Sequence, residues 1–300
     1  EGKALFGSYP TQERVLELEK NGVRCFVNLT FDCEATIEPY KTDYSYLTFP
    51  ITDHSTPRDW RLYAKFVIKI CDIITELQPG ELVYCHCKGG HGRSSIVVSS
   101  ILCHLYGMSP EQAMEKTTHY HGRRPIMRER WRKLGVPQTR SQKNFIGKFF
   151  EPISFFRAYN VGYTAGFSLS TNHSVQTELG LFHMAEAAVH AYKNPDNPEY
   201  INAQQQCKSA LLSRCLARKT TIIPDWEQIM EEVVYKVVLA KFEQHPDLRR
   251  NLTNTGLRPI VYNTHIDHVL GTGGDFTGRN ILGKTLMKVR EKFYRELDKE

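Results

Sequence analysis

Apolar residues in the first 150 positions follow two spacings. The short apolar run over 82–84 is typical of a buried strand, and the segments 23–30 and 44–51 are also predicted to be strands. Apolar residues at every third or fourth position predict helices over 11–22 and 58–77. Strands that alternate with helices predict an α/β domain whose central, largely parallel sheet is flanked by helices.

Helical spacing dominates the remaining residues. The predicted elements are helices over 181–192, 200–216, 225–245 and from Leu282, and strands over 155–161 and 257–263. The pattern changes near 148–152 without a Gly- or Ser-rich linker. We therefore predict two domains, an α/β domain over 1–150 and a mainly helical α+β domain over 151–300.

The loop that follows the run at 82–84 carries the first candidate chemistry. A Gly-rich loop that enters a helix directs backbone N–H groups and the helix dipole toward an anion, and the predicted phosphate-binding residues are Lys88, Gly89, Gly90, His91 and Gly92. The same field favours a nucleophilic thiolate at Cys87. Arg93 can bind two phosphate oxygens. Ser94 can donate a hydrogen bond to the Cys87 thiolate.

These residues resemble the signature of the cysteine-dependent, dual-specificity-like phosphatases. That signature is His-Cys, five residues, Arg, then Ser or Thr, and the matching residues are His86, Cys87, Gly90, Arg93 and Ser94. The resemblance covers about residues 5–150. It implies cleavage of phosphomonoesters through a phosphocysteine intermediate, with phosphoserine, phosphotyrosine, phosphoinositide and RNA 5′-phosphates as open substrate classes.

The resemblance also implies an acid that protonates the leaving oxygen. Asp53 stands 34 residues before Cys87 in a segment like the family's acid loop, with Asp59 and Asp32 as alternatives. Asp53 or Asp59 could instead cap the helix at 58–77. Gln138 or Gln142 would orient the hydrolytic water.

The charge of the chain indicates the kind of substrate that it binds. The net charge is +6, and the first 150 residues carry 21 Lys and Arg against 16 Asp and Glu, which suits an anionic substrate. The run over 121–133 is strongly basic, and it is either a solvated helix surface or a site for a polyanion such as RNA.

Eight cysteines without a CxxC pair favour neither a disulfide scaffold nor a zinc site, so no metal and no cofactor are expected. We predict no membrane span and a cytoplasmic location, since Cys87 needs reducing conditions.

A second Gly-rich run begins at Gly271. Four glycines from Gly271 to Gly278 let backbone N–H groups approach a phosphate or ribose. The run lacks the Lys-Ser/Thr ending of a P-loop and the Rossmann spacing. Considered alone, it is either a ligand loop or an ordinary loop before the last helix.

The order of the motifs in this half is more specific. In sequence they are Glu186 in a helix, Asp225-Trp226-Glu227, the segment 240–246, the Gly-rich run, and Met287-Lys288-Val289-Arg290. This order resembles the NADAR (YbiA-like) family over about residues 155–297. That family is associated with ADP-ribose-type ligands, and it hydrolyses N-glycosidic bonds of riboflavin-pathway intermediates or of ADP-ribose attached to guanine.

The resemblance implies a role for each matching residue. Glu186 is the expected catalytic carboxylate, and Asp267 a partner carboxylate. The expected substrate-binding residues, with Trp226 stacking on a base, are Phe167, Ser168, Trp226, Asp267, Gly271, Gly273 and Asn280. Departures from the family's pattern occur at Leu169-Ser170, Ala187, Asp225 and Leu270. They would suit a different base or a domain that binds without cleaving.

Together, these features predict a bifunctional hydrolase. Its expected partners are a phosphorylated substrate and ADP-ribose or an ADP-ribosylated nucleotide or nucleic acid. Two alternatives remain open, a phosphatase targeted by a non-catalytic ADP-ribose-binding module and an RNA-end phosphatase. The oligomeric state is also left open.

Overall fold

The structure, a computed structural model, describes residues 2–35, 37–156 and 162–297. It divides into two compact units, Glu1–Glu151 and Pro152–Glu300. The division falls next to the boundary predicted at residue 150. None of the helices in the described ranges is both long and apolar enough to cross a membrane.

The first unit is a four-stranded parallel sheet with helices. Its strands are β1 (Ala4–Ser8), β2 (Val23–Asn28), β3 (Ser45–Thr48) and β4 (Leu82–Cys87), in the order β1-β4-β2-β3. Its helices are α1 (Gln12–Lys20), α2 (Trp60–Glu76), α3 (Arg93–Tyr106), α4 (Pro110–Gly122), α5 (Glu129–Leu134) and α6 (Arg140–Phe149). The α/β class with a parallel central sheet is confirmed.

Strand β4 lies inside this sheet because nearly all of it is apolar. Val83 and Cys85 are buried, and β4 pairs with β1 on one side and β2 on the other. Since all four strands are parallel, their carboxyl ends meet at one edge, where ligands bind in such sheets. The segments after β2, β3 and β4 therefore converge, although they are far apart in sequence.

Strand β1 was not predicted from the sequence. Phe6 of β1 stands opposite Cys85 of β4 in register.

At the start of α2, the Asp59 carboxylate accepts hydrogen bonds from the N–H groups of Arg61 and Leu62, at 2.8 and 3.0 Å. Asp59 is therefore the cap of α2, and the expectation that Asp53 could cap this helix is wrong.

The second unit is mainly helical, as predicted. Its strands are β5 (Ile153–Phe155), β6 (Val175–Thr177), β7 (Gly180–Phe182) and β8 (Ile260–Tyr262); β5 pairs parallel with β8, and β6 antiparallel with β7. Its helices are α7 (Ala185–Ala191), α8 (Pro198–Gln205), α9 (Ala210–Lys219), α10 (Trp226–Gln244), α11 (Pro246–Thr253) and α12 (Ile281–Glu296). The small residues of α7 let it pack closely against α8, α9 and α10.

Several predicted boundaries in this unit are wrong. The helix expected over 181–192 begins at Ala185, because Leu181 and Phe182 belong to β7. The helix expected over 200–216 is two helices, α8 and α9, whereas the helix expected over 225–245 ends at Gln244, just before Pro246, which begins α11. The strand at 155–161 is described only to residue 156, and residues 157–161 lie outside the described ranges.

Candidate active sites

Cys87 ends β4 and lies beneath the phosphate loop, residues 88–92. Its side chain is buried, and the Gly90 N–H donates to Cys87 Sγ at 3.2 Å. Cys87 Sγ lies 3.7 Å from the hydroxyl oxygen of buried Ser94, which is on the first turn of α3. The N–H and the hydroxyl are both placed to stabilise negative charge on the sulfur.

Close contact with β1 shapes the phosphate loop. Gly90 has φ of +71°, and a Cβ there would lie 2.4 Å from the carbonyl carbon of Gly7. Only glycine fits this position without strain. The Arg124 guanidinium also donates to the carbonyls of Gly90 and Phe6, at 2.8 and 3.1 Å, and so fixes the loop to the strand.

Arg93 is held by a residue that the sequence did not identify. Glu34 accepts from both Nη1 and Nη2 of Arg93 as a bidentate pair, and Arg93 is 1% exposed. Nη1 also donates to the Ile51 carbonyl at 3.0 Å. Burial opposes the charged form of Arg93, but the hydrogen bond with Glu34 and the nearby Cys87 and Asp53 raise its pKa overall.

The other edge of the Arg93 guanidinium is suited to an anion. Arg93 Nε is buried and has no hydrogen-bond partner among the described residues, while Nη2 on the same edge lies 3.1 Å from Asp53 Oδ1. Nε and Nη2 form a fork that matches two oxygens of a phosphate. An anion bound there would pair Nε and compete with Asp53 for Nη2.

Asp53 lies on the turn after β3, and its side chain is 53% exposed. Its Oδ1 accepts from the His54 N–H at 3.1 Å. The structure thus brings Asp53 to Arg93, whereas Asp59 is occupied as a cap. Buried Gln142 lies against the phosphate loop, since a Cβ on Gly92 would come within 2.8 Å of its Nε2, which donates to the Ser55 carbonyl.

The side chain of His91 does not face inward with the phosphate loop's N–H groups. His91 Nδ1 lies 2.8 Å from His121 Nε2, and its ring stacks on Trp131. Burial, with Arg124 nearby, lowers the pKa of each histidine to about 4. Lys88 is exposed, and its backbone carbonyl accepts from the N–H of Tyr9.

The second unit contains a cavity of about 510 Å³ beside α7. Its lining residues include Ser168, Ser170, Glu186, His190, Arg214, Arg218, Asp267 and Leu270. Glu186 is 8% exposed and forms a bidentate ion pair with Arg214, while the Ser170 hydroxyl also donates to it. The carboxylate is therefore held in one orientation at the cavity wall.

Of the other predicted residues in this unit, two line the cavity. These are Ser168 and Asp267; Asp267 Oδ1 accepts from the N–H groups of Val269 and Leu270, at 2.9 and 2.8 Å, and so shapes the loop. Phe167 belongs to the hydrophobic core. Trp226 is not among the lining residues and packs, partly buried, against that core.

The predicted residues of the Gly-rich run support the loop from outside the cavity lining. The Asn280 side chain donates to the Ile260 carbonyl and accepts from the Tyr262 N–H, both at 3.0 Å, which joins β8 to the start of α12. A Cβ on Gly271 would clash with Thr264, and one on Gly273 with the His268 ring. These glycines permit close packing of the loop on itself.

Three functional candidates in this unit were not predicted. Arg214 holds Glu186, and His190 lines the cavity one helical turn after Glu186. Lys241 is fully buried and donates to the carbonyls of Gly166 and Ser168, each at 2.7 Å, so it fixes the segment before Ser170. The pairing of Arg214 with Arg218 at a four-residue spacing was a sequence signal for a cationic helix face.

Comparisons with known proteins identify both units. The family model described as "Polymorphic toxin system, DSP-PTPase phosphatase" matches residues 2–106, and the model of the NADAR domain matches residues 154–294.

Three curated relatives illustrate the similarity. "Putative tyrosine phosphatase 197R" of Invertebrate iridescent virus 6 is 31% identical over 302 residues, which cover 99% of this chain and 91% of that protein. "Putative tyrosine phosphatase 067L" of Invertebrate iridescent virus 3 is 37% identical over 150 residues, 49% of this chain and 62% of that protein. "N-glycosidase YbiA" of Escherichia coli is 40% identical over 75 residues, 25% of this chain and 47% of that protein. The matches thus span less than two thirds of the second and third relatives.

One solved structure is similar to part of the chain. The NMR structure of E. coli YbiA matches with a TM-score of 0.46 and 26% sequence identity. The match covers 50% of this chain and 89% of the YbiA chain.

Proposed function

The chain belongs to the family of proteins that join a DSP-PTPase phosphatase domain to a NADAR domain, and from this membership we propose a bifunctional hydrolase. The first unit cleaves phosphomonoesters, and the second cleaves an N-glycosidic bond to ribose. The observation that supports the phosphatase most is the unpaired, buried Nε of Arg93 beside Cys87 and the phosphate loop.

In the phosphatase, the Cys87 thiolate attacks phosphorus as the bond to the leaving oxygen breaks. Loop N–H groups and the Nε/Nη2 edge of Arg93 bind the phosphate oxygens. Phosphate on Nη2 displaces Asp53, which can then be protonated and give its proton to the leaving oxygen. Water oriented by Gln142 next attacks the phosphocysteine, Asp53 takes its proton, and Ser94 donates to the departing thiolate.

In the glycosidase, Glu186 faces the anomeric carbon of a ribose bound in the cavity. Its negative charge stabilises an oxocarbenium-like transition state as the bond to the leaving nitrogen breaks. Arg214 and Ser170 keep the carboxylate oriented. Exposed Arg218 supplies a further positive charge at the cavity, which suits a phosphate-bearing ribosyl substrate.

The substrate proposed for the glycosidase is ADP-ribosyl guanine or a related ribosyl N-glycoside. The fusion suggests that one ADP-ribosylated nucleotide or nucleic acid presents both scissile bonds, or that one pathway does. A cytoplasmic location belongs to the same proposal, because Cys87 must remain reduced.

One experiment tests both activities. A guanine-ADP-ribosylated oligonucleotide with a 5′-phosphate is incubated with the wild-type protein, Cys87→Ser and Glu186→Gln, and the products are identified by mass spectrometry. We expect phosphate release to fail only in Cys87→Ser, and ADP-ribose release to fail only in Glu186→Gln, each by at least about 10³-fold. ADP-ribose binding without turnover in every form would instead identify the second unit as a binding module.

A groove beside the phosphate loop favours a second candidate, an RNA 5′-end phosphatase. The groove measures about 740 Å³, and its lining includes Tyr9, Arg14, Gly89, Arg128 and Trp131. Cationic and aromatic side chains next to a phosphate site suit a single strand. Phosphate release from RNA with a steep salt dependence, and little release from phosphopeptides, would select this candidate.

A further inference from the structure

His190 and its hydrogen-bonded neighbours form a chain that reaches the glycosidase cavity. His190 lies one turn after Glu186 on α7 and lines the same cavity. Its Nδ1 lies 2.8 Å from Ser213 Oγ, and the Ser213 hydroxyl lies 2.7 Å from Gln204 Oε1. Ser213 and Gln204 are both fully buried, so water does not satisfy these groups.

The network determines which ring nitrogen carries the proton. Gln204 Nε2 lies 3.1 Å from the Ser213 carbonyl, which can only accept, so this atom is the amide nitrogen. Gln204 Oε1 is then an acceptor and takes the one hydroxyl proton of Ser213. Ser213 Oγ can therefore only accept from His190, whose Nδ1 must be protonated.

The lone pair of neutral His190 is consequently on Nε2. This atom has no hydrogen-bond partner among the described residues. It does not belong to the fully buried polar atoms that lack a partner. Burial lowers the pKa of His190 to about 4, so the ring is neutral at pH 7. A neutral imidazole nitrogen with a free lone pair at a cavity is a proton acceptor.

The two carboxylates of the cavity are already engaged. Both oxygens of Glu186 accept from Arg214, and Oε2 also accepts from Ser170. Oδ1 of Asp267 accepts from two backbone N–H groups. Glu186 is therefore held by its donors and Asp267 is committed to its own loop through Oδ1, whereas the lone pair of His190 Nε2 faces no donor among the described residues.

We propose that His190 Nε2 is the general base of the glycosidase, a role that rests on the proposed N-glycosidase function. Water attacks the anomeric carbon and gives a proton to Nε2. The carbon–nitrogen bond breaks, and its electron pair goes to the leaving nitrogen. That nitrogen takes the proton from the imidazolium, or it takes one from solvent while the imidazolium releases its own proton to solvent, and in both cases His190 returns to the neutral form.

The test compares two substitutions in the full chain. Gln can accept a hydrogen bond where Nε2 stood but cannot take a proton, whereas Ala can do neither. We expect His190→Gln and His190→Ala each to lower kcat for ADP-ribose release about 100-fold with little change in KM. Added imidazole should restore activity to His190→Ala. The control is His183→Ala, which changes an exposed histidine just before α7 and should keep wild-type kcat.

Two outcomes would overturn the general base: wild-type kcat in His190→Gln, or a protonated Nε2 in the ¹⁵N spectrum of the histidine rings at pH 7. The spectrum needs no turnover and reports the tautomer by itself. Failure of the proposed function is distinguishable. It would appear as no N-glycoside cleavage by the wild-type protein or as full activity in Glu186→Gln, and either result would remove the basis for a base at His190.

Discussion

Arg93 carries its charge in a site that water scarcely reaches, since the residue is 1% exposed. A buried guanidinium is tolerated only when it is paired and hydrogen-bonded. Glu34 supplies that pairing at Nη1 and Nη2, which leaves the edge with Nε for a ligand. The ion pair therefore sets the orientation in which Arg93 receives phosphate.

The first prediction concerns this pairing. Glu34→Gln removes the charge that offsets buried Arg93, so the guanidinium should lose its fixed orientation. We expect kcat/KM for a small aryl phosphate to fall about 10- to 100-fold, the cost of one lost hydrogen bond between charged groups. Steady-state kinetics at pH 7 would measure the loss.

Glu38→Gln is the matched control, because Glu38 is an exposed glutamate after the same strand. It should keep wild-type kinetics. An unchanged kcat/KM in Glu34→Gln would show that Arg93 is oriented by its backbone and the Ile51 carbonyl alone, and the role of Glu34 would be wrong.

The residues of a compact motif could be predicted from their spacing, whereas the partners that hold them from distant parts of the chain could not. Cys87, Arg93 and Ser94 lie within eight positions, so their spacing alone indicated a phosphate site. Glu34 reaches Arg93 across 59 positions, and Arg214 reaches Glu186 across 28. Such pairings depend on how strands and helices pack, so the spacing of nearby residues does not predict them.

At the scale of elements, the phosphate loop is joined to α4 by the pair His91 and His121. His121 is buried, and its Nε2 lies 2.8 Å from His91 Nδ1. Two neutral rings share one proton in this contact, but two protonated rings would repel each other. The contact between loop and helix therefore depends on both rings staying neutral.

The second prediction is a pH dependence of stability. The pKa of each ring is lowered to about 4, whereas an unfolded histidine titrates near pH 6.5. Between these values the unfolded chain binds more protons, so the free energy of unfolding falls as the pH falls from 6.5 to 4. We expect His121→Gln to lose about 1 kcal/mol less than the wild-type protein between pH 7 and pH 5, since solvent screens part of the pair.

Urea unfolding at both pH values would measure this difference. His119→Gln, which changes an exposed histidine on the same helix, should behave like the wild-type protein. Equal pH sensitivity of His121→Gln and the wild-type protein would contradict a neutral pair.

Elements with a strong period were predicted, and those that depend on pairing were not. Helices α2 and α10 have long apolar faces, β2 and β4 are mostly apolar, and β3 lies within the strand predicted over 44–51. Strand β1 was missed because only its pairing with β4 makes the short segment Ala4–Ser8 a strand. Phe182 was assigned to a helix for a related reason, since its partner Val175 fixes it in a hairpin.

At the scale of the molecule, each unit has its own core and its own candidate site. The phosphate loop, Glu34 and Asp53 belong to Glu1–Glu151, while Glu186 and its cavity belong to Pro152–Glu300. The basic excess predicted for the phosphatase half is also confined to one unit, since the residues after 150 carry 18 Lys and Arg against 17 Asp and Glu. Two sites supported by separate cores should bind their ligands independently.

The third prediction is that each ligand stabilises its own site. Tungstate, an oxyanion shaped like phosphate, and ADP-ribose, each at about 100 times its Kd, should add about 2.7 kcal/mol to the unit that binds it. In a unit of this size the midpoint rises by roughly 2–8 °C in scanning calorimetry. Arg93→Ala should abolish the tungstate shift and keep the ADP-ribose shift, because Arg93 contacts only the first site. Glu186→Gln should keep the tungstate shift in full. A tungstate shift that changes in Glu186→Gln would mean that the two sites are coupled, and the independence inferred from separate cores would be wrong.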